Sequence, residues 1–337
     1  MSETLSRRVK NPSTSAVRRA PLTQVPLSST PLPPLDPAAT PWPGAMARVS
    51  GLDLHVRHTP GAGDSTVVYV HGLGGSSTNW TDLAAQLAPS ARGFALDLPG
   101  FGRSEPETGF TFSLLAHAGV VADYIEQHTN GPVHLVGNSM GGAIALLLGA
   151  NRPDLVRTLT LVSPAMPDRR LDPRRLSDPR VVFAYLPLVG RKVRRQIAAT
   201  DPRQRAEQVV RLCFADPSSV PEQRLVEATE EQRARADLAW AGTAMARSTM
   251  EIFRCWFTGG AGSLWAVART VRAPSLVVWG TEDKVISVRR AARTARALPS
   301  SRLLVLPKTG HVAQMERPAT VARAMLGMWE SVEANAW

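Results

Sequence analysis

From residue 65 onward the chain alternates short, unbroken apolar runs with stretches in which apolar residues recur at helical spacing. Ser65 to His71 (STVVYVH), Gly93 to Asp97 (GFALD), Pro132 to Gly137 (PVHLVG) and Thr158 to Val162 (TLTLV) are runs of the first kind. Runs of that length bounded by turn residues read as strands buried on both faces. Between them, Thr81 to Leu87 reads as a helix, and Phe112 to His128 carries Leu114, Leu115, Val120, Val121 and Ile125 at helical period. A further helix is predicted over Gly141 to Gly149. The alternation resumes late, with a strand over Ser275–Trp279, a helix over Val288–Ala297, a strand over Arg302–Leu306 and a helix over Ala319–Trp329. Strands alternating with helices through short loops predict an α/β fold, a mostly parallel sheet with helices on both faces. Ahead of it, ARVSGLDLHVRHT reads as a hairpin at the sheet edge.

Two stretches break the pattern. Between Pro164 and about Arg272 the alternation stops, and the sequence is arginine-rich and helical in character. It predicts a helical cap over residues 165–272, inserted into a core formed by 45–164 and 273–337. Residues 1–44 read as an N-terminal extension. Proline recurs every few residues from Pro21 to Pro43. Proline fixes φ and lacks a backbone donor, so this stretch is expected to be extended and loosely held, with Trp42 able to pin its end.

The formal net charge of +11 changes the picture little, because the arginines are scattered rather than clustered. A solvated basic surface is expected, with weak association with anionic surfaces and no specific nucleic-acid partner, since no nucleic-acid module accompanies the charge. Cys213 and Cys255 form neither a disulfide framework nor a metal-ligand pattern, and neither a metal nor a cofactor is expected. No apolar stretch reaches the roughly 18 residues of a membrane span, so a cytoplasmic protein acting on a small molecule is expected.

The chemistry concentrates in Gly137-Asn138-Ser139-Met140-Gly141, between a predicted strand and a predicted helix. That is the context in which G-x-S-x-G forms a tight turn presenting a nucleophilic serine. A serine hydroxyl needs a base, and His311 in TGHVAQMERP follows the last strand, at the sheet end where Ser139 lies. Asp283 in GTEDK also follows a strand and can hold the imidazole tautomer, with Glu282 as the neighbouring alternative. The chain order Ser, Asp, His is that of one of the three common serine-triad folds. Two backbone N–H groups are expected to form the oxyanion hole. They are Met140, after the nucleophile, and Leu73 in His71-Gly72-Leu73-Gly74-Gly75. Gly72, Asn138, Val312, Trp240 and Trp256 are candidates for the substrate pocket. The wider cap also contributes aromatic candidates, including Phe183, Tyr185, Phe214, Phe253 and Phe257.

HGLGGSSTNW, DLPGFGRS at 97–104, GNSMGG, GTEDKV and TGHVAQMERP, in that order, resemble the α/β-hydrolase superfamily over roughly residues 50–335. The resemblance implies an eight-stranded, mostly parallel sheet with an inserted helical cap, Asp97 in a structural role, and a carboxylesterase-like serine hydrolase. The family's dehalogenases and epoxide hydrolases use an aspartate nucleophile, which Ser139 disfavours. Its carbon–carbon bond hydrolases of aromatic ring-fission products have similar serine and histidine segments, usually with tryptophan after the histidine, where this chain has Val312. They remain the alternative, together with slow-turnover ligand receptors of the same fold. Ser287 stands where family members often have proline, four residues after the acid.

Overall fold

The computed structural model describes residues 25–168 and 199–337. Eight strands form one sheet in the order β1-β2-β4-β3-β5-β6-β7-β8. β1 (Gly44–Val49) and β2 (Leu52–Thr59) form the expected hairpin, and β2 runs antiparallel to β4 (Ala91–Leu96). β3 (Ser65–Val70), β5 (Val133–Asn138), β6 (Val156–Val162), β7 (Ser275–Gly280) and β8 (Ser301–Leu306) continue in parallel from β4. The eight-stranded, mostly parallel α/β sheet expected from the sequence is therefore present.

Alternate residues of each central strand feed two separate cores, as the two-residue period of a strand requires. Val67 and Tyr69 of β3, with Val136, Val162 and Val278, pack against α1 (Thr81–Leu87) and α10 (Pro318–Glu333). Val68, Val70, Leu135 and Leu161 face the opposite layer, which includes α2 (Leu114–His128) and α3 (Met140–Asn151). That layer is completed by α7 (Leu264–Ala268) and α8 (Ala291–Ala297). Ser113 caps α2 by accepting from the Ala116 N–H at 3.0 Å, which sets its start two residues later than the periodicity alone predicts. A one-turn helix, α9 (Ala313–Glu316), follows His311 and carries no periodic signal of its own.

Between β6 and β7 the sheet is interrupted by an inserted helical region. Its described part contains α4 (Pro202–Cys213), α5 (Glu222–Asp237) and α6 (Ala241–Phe257). Phe183 and Tyr185 lie outside the described residues, as do the first two dozen residues of the N-terminal extension.

The remainder of that extension departs from the expectation of a loose leader. Residues 25–43 lie against α1 and α10, with Val25, Leu32 and Trp42 packed on their apolar core. Ser28 is tied to Arg323 of α10 twice: its N–H donates to the Arg323 carbonyl at 3.0 Å, and the Arg323 side chain donates through Nη1 to its carbonyl at 2.9 Å. Gln86 donates to the Pro33 carbonyl at 2.8 Å and Arg57 to the Trp42 carbonyl at 2.6 Å. Gly327 is the counterpart in α10, since a Cβ there would sit 2.2 Å from the Pro26 oxygen. The physical reason is that proline removes donors but leaves carbonyls, and side chains of the body supply the missing partners. Truncation before Gly44 should therefore lower the thermal midpoint by several degrees. An unchanged midpoint in a calorimetric scan would show that these contacts contribute nothing.

Candidate active site

The turn from β5 into α3 places Ser139 at φ 54° and ψ −117°, a sparsely populated conformation for a residue with a Cβ. Such a residue stores about 1–3 kcal/mol of strain that its surroundings must hold. Here the Ser139 N–H donates to the Val162 carbonyl at 3.0 Å, and its own carbonyl accepts from Ala143 and Ala165 at 3.1 and 2.8 Å. The turn is too tight for side chains on either side. A Cβ at Gly137 would lie 2.3 Å from the Gly141 oxygen, and one at Gly141 would lie 2.1 Å from the Val70 oxygen. Met140 is the first residue of α3, so its N–H has no intrahelical acceptor and points out of the positive end of the helix.

His311 follows β8 and is nearly buried. Its Nδ1 lies 2.9 Å from Asp283 Oδ2, and the Asp283 carboxylate is fully buried. The other oxygen, Oδ1, accepts from the Val285 and Ile286 N–H groups at 2.8 and 2.9 Å, which fixes the carboxylate plane. The histidine backbone is held on both sides. Its N–H donates to the Cys213 carbonyl at the end of α4 (2.7 Å), and its carbonyl accepts from Asn138 Nδ2 (3.1 Å). Asn138 also donates to Val162, so one amide joins the ends of β5 and β6 to the histidine loop. Glu316 accepts from Gly310 and Ala215, and burial raises its carboxyl above the usual range. Burial likewise pushes the Cys213 thiol up to about 12, leaving it an unreactive neighbour. Ser287 uses the N–H that a proline would lack, donating to the buried Asp168 at 3.3 Å.

The glycine loop after β3 approaches Ser139 directly. A Cβ on Gly72 would stand 3.0 Å from the Ser139 Cβ. His71 sets the loop's position: its Nε2 accepts from the Leu98 N–H at 3.0 Å, so Nδ1 carries the proton and donates to the Gly72 carbonyl at 2.7 Å. Burial keeps this imidazole neutral by lowering its pKa. The Leu73 N–H makes no backbone hydrogen bond among the described residues. Asp97 accepts from Ser77 and Arg103 N–H groups and pairs with His55 at 2.8 Å. Burial opposes its ionisation, yet the His55 hydrogen bond and neighbouring charges hold its pKa below the usual value. It organises the loops and does not reach Ser139.

Ser139, His311, Leu73 and the pocket candidates Gly72, Asn138 and Val312 share one cavity of about 130 Å³. Its roof comes from the inserted helices, including Val210 and Phe214. Trp240 and Trp256 are not in its described lining. Trp256 is buried at the seam with the core, donating to the Ala165 carbonyl at 2.9 Å, and Trp240 precedes the first turn of α6. Phe253 and Phe257 are exposed. Helical spacing marked these aromatics as cap residues but carried no information on which of them faces the serine. A second cavity of about 400 Å³ lies on the far side of the glycine loop, lined by charged groups including Arg57, Arg103 and Glu230, without the triad candidates. The sequence reading missed Glu231, Arg235 and Glu316, whose charges on helices read as solvated.

The family model described as alpha/beta hydrolase fold matches residues 65–318. A relative from Cupriavidus necator, the dihydrolipoyllysine-residue acetyltransferase component of an acetoin cleaving system, is 30% identical over 84% of this chain and 69% of its own. Among solved structures, a putative lipase from Acinetobacter baumannii superposes with a TM-score of 0.71 at 22% identity, covering 87% of this chain and 92% of the other. The 2-hydroxy-6-oxo-6-phenylhexa-2,4-dienoate hydrolase of a Rhodococcus strain superposes at 0.67 and 21% identity, over 86% and 99%. At those identities the two structures speak for the fold alone.

Proposed function

Because this chain belongs to the α/β-hydrolase fold family, we propose that it is a serine hydrolase cleaving carboxylic esters of small, mostly apolar substrates through an acyl-enzyme on Ser139. The observation that supports this reading is the shared cavity, lined by a serine in a strained turn and by a histidine bonded to a buried carboxylate. In the proposed reaction Ser139 Oγ attacks the ester carbonyl while His311 Nε2 takes its proton. Asp283 fixes the tautomer and stabilises the imidazolium. The Leu73 and Met140 N–H groups receive the oxyanion, each worth about 3–4 kcal/mol in the transition state. His311 then protonates the departing alcohol, and water attacks the acyl-enzyme by the same route. The helices α4 to α6 act as the cap that keeps bulk water from the cavity. The acetyltransferase name of the Cupriavidus relative fits acyl chemistry on this scaffold.

Carbon–carbon cleavage of a dienoate remains the second reading, because the GNSMGG and GHVAQMERP segments also resemble those of ring-fission hydrolases. A dienoate carboxylate needs an uncommitted cation beside the acyl pocket. Arg224 is the guanidinium in the described lining, and it is committed to Asp82 at 2.6 Å and to Glu227 at 2.7 Å. Arg211 and Arg254 are exposed and paired with Glu207 and Glu251, outside that lining. Arg180 and Arg191 lie outside the described residues. Neutral medium-chain p-nitrophenyl esters should therefore show higher kcat/KM than a vinylogous 1,5-diketone dienoate, with little dependence on salt. Efficient dienoate cleavage, abolished by neutralising one arginine of the inserted region, would replace the ester reading with the second.

A further inference from the structure

Helix α5 carries Glu227, Glu231 and Arg235 at four-residue spacing, on one face. By composition that face should be solvated, yet its C-terminal half is pressed onto the glycine loop beside Ser139. The Glu231 carboxylate accepts from the Thr78 hydroxyl at 2.7 Å and also from the Ser76 hydroxyl. Arg235 Nη2 donates to the Gly74 carbonyl at 2.7 Å. Burial raises the Glu231 carboxyl and lowers the Arg235 guanidinium from their ordinary values. Both residues are half-buried, and hydrogen bonds hold their charges there.

These contacts bracket Leu73. The Gly75 N–H donates to the Gly72 carbonyl at 3.0 Å, closing a turn around Leu73 and Gly74. Arg235 holds that turn at Gly74, and Glu231 holds the segment just after it. The helix cannot easily drift, because Arg224 near its N-terminus grips Asp82 through two bonds, at 2.6 and 3.1 Å, and reaches the Ala39 carbonyl at 2.7 Å.

We propose that Glu231 and Arg235 are positioning residues, through which the inserted helix α5 fixes the glycine loop and aims the Leu73 N–H at the reacting carbonyl oxygen. This rests on the reaction proposed at Ser139. Arg235 lies outside the lining of the Ser139 cavity and acts through the loop alone, whereas Glu231 holds the loop and also borders that cavity. A donor displaced by about 1 Å can cost about 100-fold in rate. Because the donor stabilises charge that develops in the transition state, the loss falls on kcat rather than KM.

The test uses full-length Arg235→Met, Arg235→Lys and Glu231→Gln on p-nitrophenyl esters, together with the rate at which a fluorophosphonate labels Ser139. Arg235→Met should lower kcat by about 10- to 100-fold with KM within about threefold. Arg235→Lys, which keeps one donor for Gly74, should recover most of the loss. Glu231→Gln should fall between them, and phosphonylation should slow in parallel because it builds charge on the same donors. Unchanged kcat, or a change confined to KM, overturns the proposal. If Arg235→Met fails to fold by near-ultraviolet circular dichroism, the other two variants decide. Wild-type protein that turns over esters without labelling at Ser139 overturns the reaction itself. Normal wild-type labelling with equal rates in the variants overturns only the positioning role.

Discussion

Ser139→Ala is expected to lower ester turnover by about 10⁶-fold while leaving the fold and the thermal midpoint close to wild type. The serine hydroxyl is the bond-forming atom of the proposed mechanism. The nearby Cys213 thiol is a poor replacement, because burial holds it protonated. The change removes one oxygen and keeps the Cβ in the same strained turn, so the backbone bonds to Val162, Ala143 and Ala165 persist. Residual catalysis of roughly 10³–10⁴ over water should remain, from the proposed oxyanion donors and substrate binding. A variant retaining a tenth or more of wild-type kcat would mean that another residue carries the chemistry.

A second large effect concerns acid stability. His117 is buried among Phe101, Phe110 and Phe112, and its ring nitrogens find no partner among the described residues. Burial first, then the neighbouring His71, lowers its pKa to about 3. His134, stacked 4.0 Å from Trp329, is lowered to about 3 by burial and then by Arg157. Each binds a proton in the unfolded chain near pH 6.5 but not in the folded one. Their contribution is therefore complete above pH 6.5 and erodes as the pH falls from there toward about 3. Between pH 6.5 and 4.5 the pair should remove on the order of 5 kcal/mol, comparable to the whole stability of many domains. Glu227, Glu231 and Glu316, raised by burial, act in the opposite direction just above pH 4.5. The histidine share is thus read by difference: His117→Phe should flatten the pH dependence of unfolding by close to one proton. Identical slopes for the two proteins would show that His117 is not held neutral in the native state.

Much of this architecture was legible because each central strand is an apolar run and the longer covering helices α2 and α10 keep their period. Ser139, Asp283 and His311 were picked out by motif and chain order, and the structure brings them to one place. The serine turn was readable for the same reason, because its tight geometry restricts Gly137 and Gly141 to glycine. Features made by partners distant in sequence were not. Residues 25–43 dock through carbonyls that any sequence possesses, so composition could not separate a strap from a loose leader. Arg235 and Glu231 look like any exposed helical charges until the glycine loop is placed beneath them. Trp256 and Trp240 share the spacing of pocket residues, but which side of a helix faces a cavity depends on how the helix is rolled, and tertiary packing sets that roll.

Mass-spectrometric mapping of a fluorophosphonate adduct, run alongside loss of ester turnover, tests the central claim most directly. The account predicts a single adduct on Ser139, forming in step with inactivation and much more slowly in His311→Ala. Inactivation with the adduct on a different residue, or full turnover by protein labelled at Ser139, would contradict it.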